Sequence, residues 1–81
     1  MKKSRVDLYI VYRILKTLKK NGPMSKTSLA LYAKLNYQRA VKYVEHLSQM
    51  GLVEVDKHVK LTQRGLEILE KIEEVLKSLG F

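Results

Sequence analysis

The stretch Ala33–Leu47, AKLNYQRAVKYVEHL, reads as the end of one helix, a break at Asn36 and the start of another. Asparagine is a strong N-cap. Behind it Ala40, Tyr43, Val44 and Leu47 recur at about 100° per residue, which predicts an amphipathic helix from Tyr37 to about Met50. Gly51 stands where a helix end wants a left-handed residue, and Leu52 can fold back on Leu47. Upstream, Ser25 caps a short helix reaching about Ala33, with Leu29, Ala30 and Ala33 facing inward. The turn between the two helices is Lys34-Leu35-Asn36, without the glycine that many such turns carry.

Working outward, Ser4 reads as an N-cap with Asp7 three residues later, as in a capping box. The first helix runs to about Lys20. Ile10, Val11, Ile14 and Leu18 share one face, and Leu8, Tyr12 and Leu15 extend it sideways. Asn21-Gly22-Pro23 ends it. On the other side, Leu52–Leu61 alternates and is rich in valine, the pattern of a hairpin. A turn at Asp56-Lys57-His58 puts Val53, Val55, Val59 and Leu61 on one face and Glu54 opposite Lys60. Histidine tolerates positive φ better than most residues, which suits a turn without glycine. Thr62 caps a last helix from Gln63 to about Leu79. The fold class is mostly α with a small β-hairpin, one domain over residues 1–81.

A chain of 81 residues buries only about 60–65% of its unfolded surface, so its own core is marginal. Cysteine is absent, and His46 and His58 lack zinc-ligand spacing, which leaves a partner subunit as the expected support. No apolar run with a small-residue cleavage site follows Lys2 and Lys3, and Leu8–Tyr12 is far too short to span a bilayer. The expectation is a soluble, cytoplasmic, nucleoid-associated protein with no membrane contact. The net charge is +8 and unevenly spread. Residues 1–43 hold eleven Lys or Arg against Asp7 alone (+10), while residues 44–81 hold five basic and seven acidic residues (−2). A basic half beside a balanced one is the footprint of a polyanion-binding surface.

The run KTSLALYAKLNYQRAVKYVEHLSQMGLVE, followed by KLTQRGLEIL, resembles the small winged helix-turn-helix DNA-binding regulators of archaea. The resemblance rests on the Lys26-Thr27 helix entry, the Asn36-Tyr37 break, Tyr43-Val44, Leu47, Gly51-Leu52, and Leu61-Thr62 with Gly65. It implies a DNA-binding core over residues 4–61, a wing at 52–61 and a dimerisation helix at 62–81. One branch of that family pairs through its last helix as an antiparallel coiled coil, and some members act as chromatin proteins.

In a helix-turn-helix the N-terminal part of the second helix enters the major groove. The helix 37–50 would present Gln38, Arg39, Val41 and Lys42 to bases: Gln suits adenine, Arg guanine, and Val a thymine methyl. Glu45 and Gln49 share that face. Phosphates would be held by Ser25, Lys26 and Thr27 at a helix N-terminus, by Lys34 and Tyr37, and by Lys57, His58 and Lys60 on the wing. The partner expected is double-stranded DNA, read with sequence specificity by a homodimeric transcriptional regulator. A weakly specific chromatin protein and a winged-helix protein-interaction module are the alternatives.

Glu67 and Glu73 each precede a lysine by four, the stabilising order for surface pairs, so the glutamates of the last helix read as a solvated face. There is no Gly-rich phosphate loop, nucleophile elbow or metal cluster; no enzyme activity, cofactor, metal or small-molecule ligand is expected. The apolar arc of that helix covers about half its circumference on a helical wheel. Leu66 and Leu69 serve the core. Ile68, Ile72, Val75, Leu76 and Leu79, with Leu8 and Tyr12 of the first helix, are then expected at a dimer interface.

Overall fold

The computed structural model describes residues 6–80. It has helices α1 (Leu8–Asn21), α2 (Lys26–Ala33) and α3 (Tyr37–Gln49), strands β1 (Val53–Val55) and β2 (Val59–Leu61), and helix α4 (Gln63–Ser78). Four helices and a two-stranded antiparallel hairpin make a winged helix-turn-helix fold.

Side-chain caps set most boundaries. Ser25 Oγ accepts from the Ser28 N–H (3.1 Å), Asn36 Oδ1 from Arg39 (2.8 Å) and Thr62 Oγ1 from Gly65 (2.9 Å). The cap expected at Ser4 lies outside the described residues. Helix α1 starts at Leu8, and its N-cap is Asp7, whose Oδ1 accepts from the Tyr9 N–H at 2.9 Å. The Asp7 N–H donates to the Tyr43 hydroxyl at 2.9 Å, so the start of α1 is tied to α3.

The hairpin pairs Val53 with Leu61, Glu54 with Lys60 and Val55 with Val59, the register that the alternation predicts. Its turn does not use positive φ at His58; among the described residues Lys34 is the non-glycine with positive φ. Asp56 closes the turn instead. Its Oδ1 accepts from the His58 N–H at 3.2 Å, and the His58 and Lys57 N–H groups hold its carboxyl below the usual range. Met24 joins β2 as a bridge, exchanging both backbone hydrogen bonds with Val59 (3.2 and 2.8 Å). A one-residue bridge has no periodicity to reveal it in sequence.

Ile14, Leu15, Leu18, Leu29, Val44, Leu47, Val59 and Leu69 form the fully buried centre. Two side chains sit deeper than the sequence suggests. Leu15, expected on the flank of α1, is fully buried, and Ile72, expected at a subunit seam, is only 7% exposed. Helix α4 packs along α1, and that contact takes Ile72 into the chain's own core.

The start of α4 lies hard against Leu52, just before β1. A Cβ placed on Gly65 would stand 2.1 Å from the Leu52 carbonyl oxygen, and that oxygen accepts the Thr62 N–H at 3.2 Å. The backbone there has no room to yield. Gly65→Ala should therefore cost about 1–3 kcal/mol by overpacking, although helix propensity alone favours alanine by about 1 kcal/mol. Urea denaturation reads the sign: a stabilised variant would show that the approach of α4 to Leu52 relaxes freely.

Candidate nucleic-acid interface

Helix α3 buries Ala40, Val44 and Leu47 and turns its opposite side outward. Gln38, Arg39, Lys42, Glu45 and Gln49 are exposed and Val41 is half-buried. Among the described residues no hydrogen bond or ion pair engages the side chains of Gln38, Arg39 or Lys42. They stand free to meet a partner. Tyr37, at the first turn, is 53% exposed rather than packed beneath α2, so its hydroxyl is available as well. The tyrosine that α3 commits to structure is Tyr43.

Ser25 and Lys26 are half-buried and Thr27 is exposed at the start of α2, where unpaired backbone N–H groups attract anions. Lys57, His58 and Lys60 are exposed on the hairpin. Lys34 is exposed in the turn, but it lines a cleft with Lys16 and Lys20 of α1. These are all the ingredients of a polyanion surface: free donors on one helix face, a helix N-terminus and flanking lysines.

The turn between α2 and α3 contains a feature that the sequence did not reveal. Lys34 adopts φ 60° and ψ 49°, the left-handed conformation that glycine usually supplies. Arg13 of α1 secures it, donating from Nη2 to the carbonyls of Ala33 and Lys34, the latter at 3.0 Å. The Tyr9 ring lies over the guanidinium, 5.7 Å from its carbon to the ring centroid. The one sequence signal is Tyr9 four residues before Arg13, on the same helix face.

The residues expected at a dimer seam fall into two groups. Leu8, Tyr12, Ile72 and Leu76 line one groove of about 890 Å³ between α1 and α4, joined by Tyr9. Ile68, half-buried against the core, and the exposed Val75 and Leu79 do not line it. At the groove's edge Lys16 donates to the Tyr12 hydroxyl (3.2 Å) and to Glu73 (3.3 Å), and these partners raise its pKa in that order. Among the described residues no group of three His, Cys, Asp or Glu is placed to hold a metal, and no helix is long and apolar enough to cross a membrane.

Residues 2–79 match the family described as Winged helix-turn-helix. The fold is also similar to the crystal structure of the MarR family transcriptional regulator SPO1453 from Silicibacter pomeroyi DSS-3. The TM-score is 0.73 at 25% identity, over 85% of this chain and 53% of the other, so the chain spans about half that protein's length. No curated protein sequence matches.

The Arg13 contacts generate a prediction about α3. Arg13→Ala leaves two carbonyls without their charged donor and should cost about 1.5–3 kcal/mol of stability. Arg13→Lys should recover only part of it, because an ammonium lacks the planar fork and the face that stacks on Tyr9. Denaturant midpoints of the three proteins measure this; equal midpoints would mean that the turn holds itself.

Proposed function

The chain belongs to the winged helix-turn-helix family, and on that premise we propose that it is a sequence-specific double-stranded DNA-binding transcriptional regulator acting as a homodimer. Helix α3 enters the major groove. Gln38, Arg39, Val41 and Lys42 read bases, while Ser25, Lys26, Thr27, Lys34, Tyr37, Lys57, His58 and Lys60 hold phosphates. The observation that carries this reading is the outer face of α3, whose Gln38, Arg39 and Lys42 side chains are exposed and unengaged. The description of the structural neighbour as a transcriptional regulator supports the same assignment.

Binding of this kind releases counterions. If each subunit neutralises about four phosphates, log K against log salt falls with a slope of about −7 for the dimer. A flat salt response would remove DNA as the partner and favour a protein-interaction module. Arg39→Ala and Gln38→Ala should relax sequence preference by about 1–3 kcal/mol each, whereas Lys26→Ala and Lys57→Ala should weaken all sequences alike. A uniform loss across all four variants would point to a weakly specific chromatin protein.

The homodimer is supported by apolar surface left open on a small domain. Leu8 is 54% exposed, Val75 51% and Leu79 66%, and the groove lined by Tyr12, Ile72 and Leu76 lies alongside. A symmetric interface would bury these residues on both subunits at once. Replacing Val75 and Leu79 with lysine places unpaired charges across that contact without touching the core, unlike any change at Ile72. Sedimentation should then show monomers, and affinity for a palindromic site should fall because two half-sites no longer act together. A parent protein that sediments as a monomer would sink the homodimer.

A further inference from the structure

We propose that the cleft between α1 and α2 docks an acidic, amphipathic segment of a partner protein, at a surface that shares only Lys34 with the proposed DNA contacts. The cleft has a volume of about 480 Å³, is rimmed by Lys16, Lys20 and Lys34, and has Leu31 and Tyr32 in its lining. No carboxylate lines it, and no residue of α3 or the hairpin does. Among the described residues Lys20 and Lys34 take part in no ion pair, and Lys16 uses two of its three donors on Tyr12 and Glu73.

The apolar part of the cleft is what separates this surface from a phosphate track. Leu31 is 72% exposed and Tyr32 56%. Helix α2 already buries Leu29, Ala30 and Ala33 on its inner side, so it is apolar on both faces, the pattern of a helix covered from two directions. Phosphate contacts need cations and N–H groups and do nothing to cover a leucine. A partner that answers both features carries carboxylates around an apolar anchor. An amphipathic helix with leucines at i and i+4 among glutamates meets the lysines with its charges and Leu31 with its anchor. The cleft is small, so the contact is a transient one.

The probe is a synthetic glutamate-rich helical peptide with leucines at i, i+4 spacing, and the control is the same peptide with serines in their place. Fluorescence anisotropy should show the leucine peptide binding and the serine peptide binding much more weakly. Leu31→Ser should weaken the leucine peptide by about tenfold without lowering duplex affinity, and Lys20→Gln should weaken the peptide to a smaller degree. In labelled protein the peptide should shift the amides of Lys16, Lys20, Leu31 and Tyr32 and leave those of Gln38, Arg39 and Lys42 in place. Peptide affinity should fall by no more than the contribution of Lys34 in protein saturated with duplex, because the other cleft residues lie outside the proposed DNA contacts. The proposal is overturned if the peptide does not bind, or binds regardless of its leucines. Expulsion of the peptide by duplex would also overturn it, assigning the cleft to the DNA footprint. So would salt-sensitive self-association of the unmodified protein that Lys20→Gln abolishes, which would give the cleft to a second copy of this chain. The peptide arms need no DNA, so a failure of DNA binding is read separately.

Discussion

The direction in which α3 points depends on the turn from Ala33 to Asn36. Four residues must stop one helix, reverse the chain and start another, and no glycine is present. The solution divides the work. Lys34 takes the left-handed conformation at a cost of about 1–2 kcal/mol, and the Arg13 guanidinium offsets it by satisfying the last carbonyls of α2. The Leu35 N–H reaches back to the Ala30 carbonyl at 2.9 Å, and Asn36 then caps α3. Because the guanidinium belongs to α1, the geometry of the turn depends on the packing of α1 on α2 as well as on the turn's own residues.

The other end of α3 is held with equal economy. Gly51 takes φ 78°, and the Leu52 N–H bonds the Leu47 carbonyl at 2.9 Å. Thr62 joins three parts of the chain: its hydroxyl donates to the Gly51 carbonyl at 2.7 Å, accepts from Gly65, and its N–H reaches Leu52. The end of α3, the root of the hairpin and the start of α4 are thus fixed by one side chain and its backbone. Gly65 lets α4 approach closely enough for this to happen. A helix clamped at both ends, and tied near its middle through Tyr43, presents its outer side chains in a fixed frame, the condition for reading base edges.

Local chemistry was legible in the sequence, and long-range chemistry was not. Ser25, Asn36, Gly51 and Thr62 act on neighbours within a few residues, so residue type and spacing were enough to place four element boundaries. The hairpin register followed from alternation because a shift by one residue would reverse every side chain. The outer face of α3 followed from its period in the same way. Arg13 lies twenty residues from the carbonyl it caps, and Met24 pairs with Val59 across most of the domain. Leu15 and Ile72 lie inside broad apolar arcs, and the neighbouring helix decides which part of such an arc is buried. Periodicity gives the centre of a face and not its width.

The same distinction bears on the charge asymmetry. The basic half of the chain carries +10, but its cations do not all face one partner. Arg13 is occupied in the turn, Lys16 is held by Tyr12 and Glu73, and Lys20 and Lys34 rim the α1–α2 cleft. Lys19 is exposed on α1, and Lys26, Arg39 and Lys42 stand on α2 and α3. Charges remote from a contact still contribute to the field that draws a polyanion in, over roughly a Debye length of about 8–10 Å. They contribute nothing to register or base choice. On the proposed reading, net charge and specificity therefore belong to different residues: the basic half as a whole for approach, and a few side chains on α3, whose preceding turn Arg13 secures from another helix, for base choice.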